Sequence, residues 1–293
     1  MYKEGDVLGG MNILKIVSKS KFLEVYLAQD KKSDKQFIIK FLNKNKTPNK
    51  PSFDEELEEL ETEFNLLVKV RHIPCITRAH SFFKNKDKAY IVIEYFESKS
   101  LSRFLKESLT LSKKDALRII GDMLEAFSSI HENKLIHGDI HSSNVLVNEG
   151  HQLKIIDLGM SFIQEVENTE VTVFGGVNSY MPPERINVSS FKKYSKHPDF
   201  YSEVYQIGLL IYRILYNTMP FKGFVWEELA KNIKEQEVMY PKKSFTNYIV
   251  PEELKSIVEK CLSKKPRQRH KNATEILKDY RKIIYTKKDL SLN

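Results

Sequence analysis

Cysteine is almost missing from this chain, and the two it has, Cys75 and Cys261, form no C-x-x-C pair. That excludes a disulfide scaffold and a thiolate zinc site, and it fits a reducing compartment, for which the cytoplasm is the default. No apolar run approaches the ~20 residues that cross a bilayer. The opening MYKEGDVLGG has neither the basic nor the apolar region of a signal peptide. A soluble protein without membrane insertion is therefore expected. Arginine-rich stretches interleaved with aromatics, the mark of a nucleic-acid groove, are also lacking. The 47 basic residues exceed the 39 acidic ones through scattered lysines, giving a net charge of +8. Nucleic acid is not expected as a partner, while phosphate-bearing ligands remain compatible with that charge. There is no internal repeat, and the one low-complexity linker is the polar NKNKTPNKPS at 43–52.

What is present is enough chain, 293 residues, to bury a sizeable core and to favour two lobes over one small domain. Short β-branched and aromatic runs dominate the first ninety-odd residues: MNILKIV, FLEVYLA, KQFIIKFL and AYIVIEYF. They read as a small antiparallel sheet. One interruption, from Phe53 to Val70, repeats apolar residues at steps of three and four and predicts a helix packed on that sheet. Past Ser98 the pattern turns helical. KKDALRIIGDMLEAFSSIHENK carries a long apolar stripe, and YSEVYQIGLLIYRILY is apolar on nearly every face, so it predicts a buried helix. Between them lie two strand-like pieces, NVLV and QLKII, and then a polar stretch from Gly159 to about Tyr180, a length at which loops are usually functional or disordered. The fold class is α+β, with a β-rich lobe over 1–94 and a mainly helical lobe over 95–293.

Chemistry concentrates in LIHGDIHSSNVLV at 135–147. Asp139 is either a catalytic base or an ordinary loop carboxylate. His137 and His141 are four apart, as zinc ligands on a helix can be, but Gly138 and Ile140 lie between them and no glutamate stands where a helical metalloprotease needs one. Metal ligation by this pair is the weaker reading. Asp157, thirteen residues after Asn144, stands in IIDLG, an apolar strand that ends in Asp157 and Gly159.

In these residues the sequence resembles the protein kinases. HGDIHSSN is similar to the catalytic loop H-R-D-L-x-x-x-N, and DLG to D-F-G. FIIK at 37–40 stands where V-A-I-K belongs, Glu63 lies on the following helix, YMPPE at 180–184 resembles the end of an activation segment, and Arg269 matches the late arginine that pairs with its glutamate, here Glu184. The resemblance implies a bilobal fold whose lobes are joined by a hinge at Ile93 to Phe96. It also implies an ATP- and magnesium-dependent serine/threonine kinase acting on a protein substrate. Phosphoryl transfer needs positioning and charge neutralisation more than covalent help. Lys40 would hold the nucleotide's phosphates and Glu63 would hold Lys40. Leu60 and Leu67 at i−3 and i+4 place Glu63 beside the apolar stripe, where an unpaired charge is costly. Asp139 would take the acceptor's proton. Asn144 and Asp157 would supply oxygen ligands to magnesium. Val25, Ile38, Glu94, Phe96 and Leu146 would line the nucleotide site together with Lys40 and Asp157.

The chain also departs from the family. The phosphate-covering loop G-x-G-x-x-G-x-V is replaced by SKSKFLEV, with Ser18, Ser20 and Leu23 where glycines let backbone approach phosphate. Lys19 and Lys21 either compensate or are surface lysines. Ile38 replaces a small alanine that roofs the adenine. Gly138 replaces the arginine that meets a phosphorylated activation loop, so substitution of Thr169 and Thr172 by alanine is expected to leave activity within a few fold. His141 and Val177 stand where a lysine and a threonine usually help place the acceptor. Leu158 and Glu203 preserve size and charge. Two alternatives stay open: a pseudokinase that binds or scaffolds without turnover, favoured by SKSKFLEV and Ile38, and a small-molecule phosphotransferase, favoured by HGDIH.

Overall fold

The computed structural model describes residues 2–20, 23–43, 53–108, 111–164, 177–186 and 198–290, with side chains of the final helix described through residue 284. Lys21, the linker at 43–52 beyond its first residue, Thr169 and Thr172 lie outside them. The chain forms two compact units, Met1–Glu97 with Ile156–Gly159, and Ser98–Ile155 with Met160–Asn293.

The first unit is an antiparallel sheet carrying one helix. Its strands are β1 (Val7–Leu8), β2 (Met11–Lys19), β3 (Leu23–Asp30) and β4 (Gln36–Asn43), then helix α1 (Phe53–Lys69), then β5 (Ala79–Lys84) and β6 (Lys88–Glu94), in the order β1-β2-β3-β4-β6-β5. The four apolar runs fall on β2, β3, β4 and β6. β1 and β5 carry no such signal: β1 is two residues long, and β5, AHSFFK, has no buried residue. Side chains alternate along each strand. One face therefore collects Met11, Ile13, Tyr26, Ala28, Ile39, Phe41, Tyr90 and Val92 into a core. Lys40 lies between Ile39 and Phe41 and so points to the opposite face, in register with Val25 on β3 and Ile91 on β6. Acidic side chains in the first turn of α1 suit the positive end of its dipole, and Leu60, Glu63 and Leu67 make its buried stripe.

The second unit is mainly helical. It begins with β7 (Lys99–Ser100), α2 (Leu101–Glu107) and α3 (Lys113–Glu132), the latter started by Ser112, whose hydroxyl accepts from the Asp115 N–H. Short strands β8 (Leu135–Ile136), β9 (Val145–Val147), β10 (Leu153–Ile155) and β11 (Phe162–Ile163) follow; β9 pairs with β7 and β10, and β11 with β8. The polar stretch after Gly159 is thus partly strand, because β11 needs only two residues to close on β8. α4 (Phe200–Tyr216) starts at a capping box between Asp199 and Ser202, ends at Asn217 in the left-handed region, and is buried along almost its whole length. α5 (Trp226–Glu235), α6 (Glu252–Cys261) and α7 (Ala273–Leu290) complete the unit. α4 and α6 cross so closely that a Cβ at Gly208 would stand 2.6 Å from that of Cys261. These elements form the α+β arrangement that the sequence predicts, and none of the helices is long and apolar enough, among the described residues, to cross a membrane.

Candidate active site

In the first unit three of the expected residues meet. Lys40 Nζ donates to Glu63 Oε1 at 2.6 Å and to Asp157 Oδ1 at 2.9 Å. The sheet aims Lys40 away from the apolar core, and α1 brings Glu63, nearly buried, to it. Burial by itself would lower the lysine's pKa, but the charges of Glu63 and Asp157 and the bonds to them outweigh it, so the ammonium is held above its usual range. Asp157 sits at φ +70, a left-handed geometry that aspartate tolerates better than most residues. Val25 and Ile38 are half-buried, Ile38 facing Leu27 on β3 and Ile93 on β6. Glu94 ends β6, with its N–H on the carbonyl of Arg78 and its Oε1 on the Arg78 N–H. Phe96 follows, half-buried.

In the glycine-free loop Ser20 and Leu23 are bonded to each other. Ser20 N–H donates to the Leu23 carbonyl at 2.8 Å, and the Ser20 hydroxyl accepts from the Leu23 N–H at 3.0 Å. A serine hydroxyl here closes the turn by the local side-chain bonding typical of serine. Lys19 leans on Glu24 at 3.6 Å.

In the second unit the loop between β8 and β9 holds Asp139, His141 and Asn144. Asn144 Nδ2 donates to the Asp139 carbonyl at 3.0 Å, which fixes the amide and leaves its oxygen as the group offered outward. His141 Nδ1 accepts from the Ser143 N–H at 3.2 Å, so the ring hydrogen lies on Nε2, 3.2 Å from Asp139 Oδ2. One carboxylate oxygen of Asp139 is thus occupied, and its Oδ1 has no hydrogen-bond partner among the described residues. Leu146 lies half-buried in β9, opposite Ser100 and Lys154.

Glu203 holds this loop from below. Fully buried on α4, it accepts from the Gly138 N–H at 2.7 Å and from His131 Nε2 at 2.9 Å. His131 Nδ1 accepts from the Ala273 N–H, which places its hydrogen on the nitrogen facing Glu203. Gly138 stands at φ +83, and a Cβ there would lie 2.2 Å from the Met160 carbonyl oxygen. The residue before Asp139 therefore has no room for any side chain, arginine included. His137 is fully buried, with its Nδ1 taken by the Asp139 N–H and its carbonyl by the Ser161 hydroxyl. It is placed as a framework residue, and the described residues hold no cluster of three or more histidine, cysteine or acidic side chains able to bind a metal. Arg269 meets Glu184 through two 2.7 Å bonds, as expected, and also donates to the carbonyls of Tyr201 and Ser263.

His131 and Ser161 have no local sequence signal, because their partners lie far along the chain. A second constellation, Cys261 with His270 and Asp279, has relay-like contacts of 3.4 and 3.2 Å. The thiol is fully buried and burial pushes its pKa upward, so it remains a protonated donor to His270 and no nucleophile.

Comparison with known proteins gives the same picture. Residues 12–280 match the protein kinase domain model. The chain is similar to an Aurora kinase of Dictyostelium discoideum, 27% identical over 258 residues that cover 88% of this chain and 62% of that protein. Serine/threonine-protein kinase PrkC of Bacillus subtilis is 25% identical over 277 residues, 93% of this chain and 40% of its own length. Serine/threonine-protein kinase Aurora-2 of Arabidopsis thaliana is 28% identical over 258 residues, 88% of this chain and 85% of that one. The chain thus spans less than two thirds of the first two. Because the family model takes in most of its length, in the same order as the motifs that build the two clusters, the chain belongs to the protein kinase domain family.

Proposed function

We propose that the chain is an ATP- and magnesium-dependent protein serine/threonine kinase of the cytoplasm that transfers the γ-phosphoryl group to a protein hydroxyl. In this reading residues 1–94 roof the nucleotide and residues 95–293 carry the catalytic loop and activation segment. The observation that carries it is Lys40 held between Glu63 and Asp157, an arrangement that presents a fixed cation to phosphate oxygens.

The donor set fits the implied groups. Asp157 offers a carboxylate and Asn144 an amide oxygen, the hard ligands that magnesium takes alongside water and phosphate. Bound ATP and magnesium would supply the transferable phosphoryl group and the charge neutralisation around it. Lys40 would bind the phosphates, and Val25, Ile38, Glu94, Phe96 and Leu146 would line the base and ribose. Asp139 would accept the hydroxyl proton at Oδ1, since His141 occupies Oδ2 and fixes the carboxylate's rotation.

A second reading, a pseudokinase, is favoured by the turn at Ser20. Its backbone N–H and hydroxyl are spent within the hairpin, where glycines would leave N–H groups to cradle phosphate. Intact-mass spectrometry after incubation with Mg·ATP, beside Asp139→Ala, decides between the two. Phosphoryl mass gained by the wild type alone is the expected result. No gain and no thermal shift with Mg·ATP would establish the pseudokinase, while a shift without gain would direct attention to a small-molecule acceptor.

A further inference from the structure

Near the catalytic loop a cation is placed without a counter-charge among the described residues. Arg213, half-buried on α4, donates from Nη1 to the Tyr180 hydroxyl at 3.2 Å and from Nη2 to Ser102 Oγ at 3.0 Å. No carboxylate lies within salt-bridge distance of it among the described residues. Both partners border the catalytic loop. The Tyr180 ring packs against that of His141 at 6.1 Å between centroids, and the Ser102 N–H donates to the Ser142 carbonyl at 3.0 Å. His141 in turn contacts Asp139. Only two side chains, Tyr180 and His141, separate the guanidinium from the proposed base.

A half-buried cation held only by neutral hydroxyls has lost hydration without gaining an opposite charge, which is costly. Of the five N–H donors of a guanidinium, the two hydroxyls take two, and the rest keep the planar fork that matches a carboxylate or a phosphate. Arg269, which also reaches deep into this unit from outside the catalytic loop, is by contrast matched by Glu184. The hydroxyls orient Arg213, and an arriving anion would complete its bonding. An extended peptide rises about 3.3 Å per residue, so an acidic side chain a few residues from the acceptor reaches past His141 and Tyr180.

We propose that Arg213, oriented by Tyr180 and Ser102, selects protein substrates that carry an anionic residue, aspartate, glutamate or a phosphorylated residue, a few positions from the serine or threonine that receives phosphate. The inference rests on the kinase reading for what happens to the bound peptide, but the binding preference itself is independent of turnover.

The test is fluorescence anisotropy at physiological salt with serine peptides identical except for flanking aspartate, phosphoserine, alanine or lysine. The expected result is that the aspartate or phosphoserine peptide binds the wild type about tenfold more tightly than the alanine one, the scale of one charge-assisted bond. Arg213→Glu reverses the order and Arg213→Lys retains part of the preference. Lys278→Glu, the same charge change at an exposed position of α7, leaves it intact. A phosphoserine peptide several-fold tighter than the aspartate one assigns phosphorylated substrates; parity assigns acidic ones. Wild-type affinities within about twofold across the series overturn the proposal, and so does an equal loss of preference in Lys278→Glu, which would trace it to the bulk charge of +8. The wild-type series needs no variant to fold. Preference without phosphoryl transfer to any peptide would sink the kinase reading and leave this one standing.

Discussion

At the scale of single residues, the pair Lys40 and Glu63 shows what a sequence can disclose. Glu63 sits in the acidic run DEELEELETE, yet its placement between Leu60 and Leu67 forecasts a carboxylate turned toward the apolar stripe, and all three are buried. The cost of removing one partner follows. Lys40→Met leaves a nearly buried carboxylate with a second, Asp157, facing it. This variant is expected to lose about 3 kcal/mol in urea unfolding, the usual penalty for breaking a buried pair. Lys40→Met with Glu63→Leu should recover most of that loss, because the double change removes the orphaned charge, and neither variant should transfer phosphate. Recovery of less than about a third would mean that the pair is bound weakly. Other residue-scale features were illegible for a plain reason. The hydrogen that His141 carries on Nε2 depends on the backbone of Ser143, and the bond from His131 to Glu203 spans 72 positions. No local pattern encodes either. Gly138 lies between these cases: the sequence shows that arginine is gone, while only the geometry shows that Met160 leaves no space for one.

At the scale of elements, periodicity located the long ones and missed the short. α1, α3 and α4 follow from their apolar spacing, and β2, β3, β4 and β6 from their β-branched runs. The two-residue strands β7, β8 and β11 are held by pairing partners rather than by composition. The elements of the second unit are further tied by Arg269, whose side chain is fully buried. It joins the Pro183–Arg185 turn through Glu184, the start of α4 through the Tyr201 carbonyl, and the end of α6 through the Ser263 carbonyl, while its guanidinium stacks on the Tyr205 ring at 4.9 Å. Lysine keeps the charge but has neither the fork nor the planar face. Arg269→Lys is therefore expected to destabilise the protein by about 3 kcal/mol in urea unfolding, with Glu184→Gln additive to it by much less than the sum of the two single changes. Full additivity would show that the two side chains act separately.

At the scale of the whole molecule, stability should depend on pH through a group that plays no part in the proposed chemistry. His270 is almost fully buried between α6 and α7; it accepts from the Cys261 thiol on one side and donates to Asp279 on the other. Burial, followed by the charge of Lys260, lowers its pKa, and the bond to Asp279 only partly offsets them. An unfolded histidine titrates near ~6.5. Between that value and the lower folded one the unfolded chain holds more protons than the folded chain, so stability rises with pH there and falls as pH drops below about 7. Asp279 contributes in the same sense in a separate window. Its carboxyl is held below the usual range by Lys282 first and then by His270, so its contribution is present above about 4 and is lost as pH falls further. Urea midpoints measured from pH 7.5 to 5 should therefore decline in the wild type. They should decline less steeply in His270→Gln, even though that variant starts from a lower stability because the Cys261 thiol loses its acceptor. An equal slope in the two proteins would assign the decline to other groups, and the buried histidine would then be protonated in the folded state at no cost.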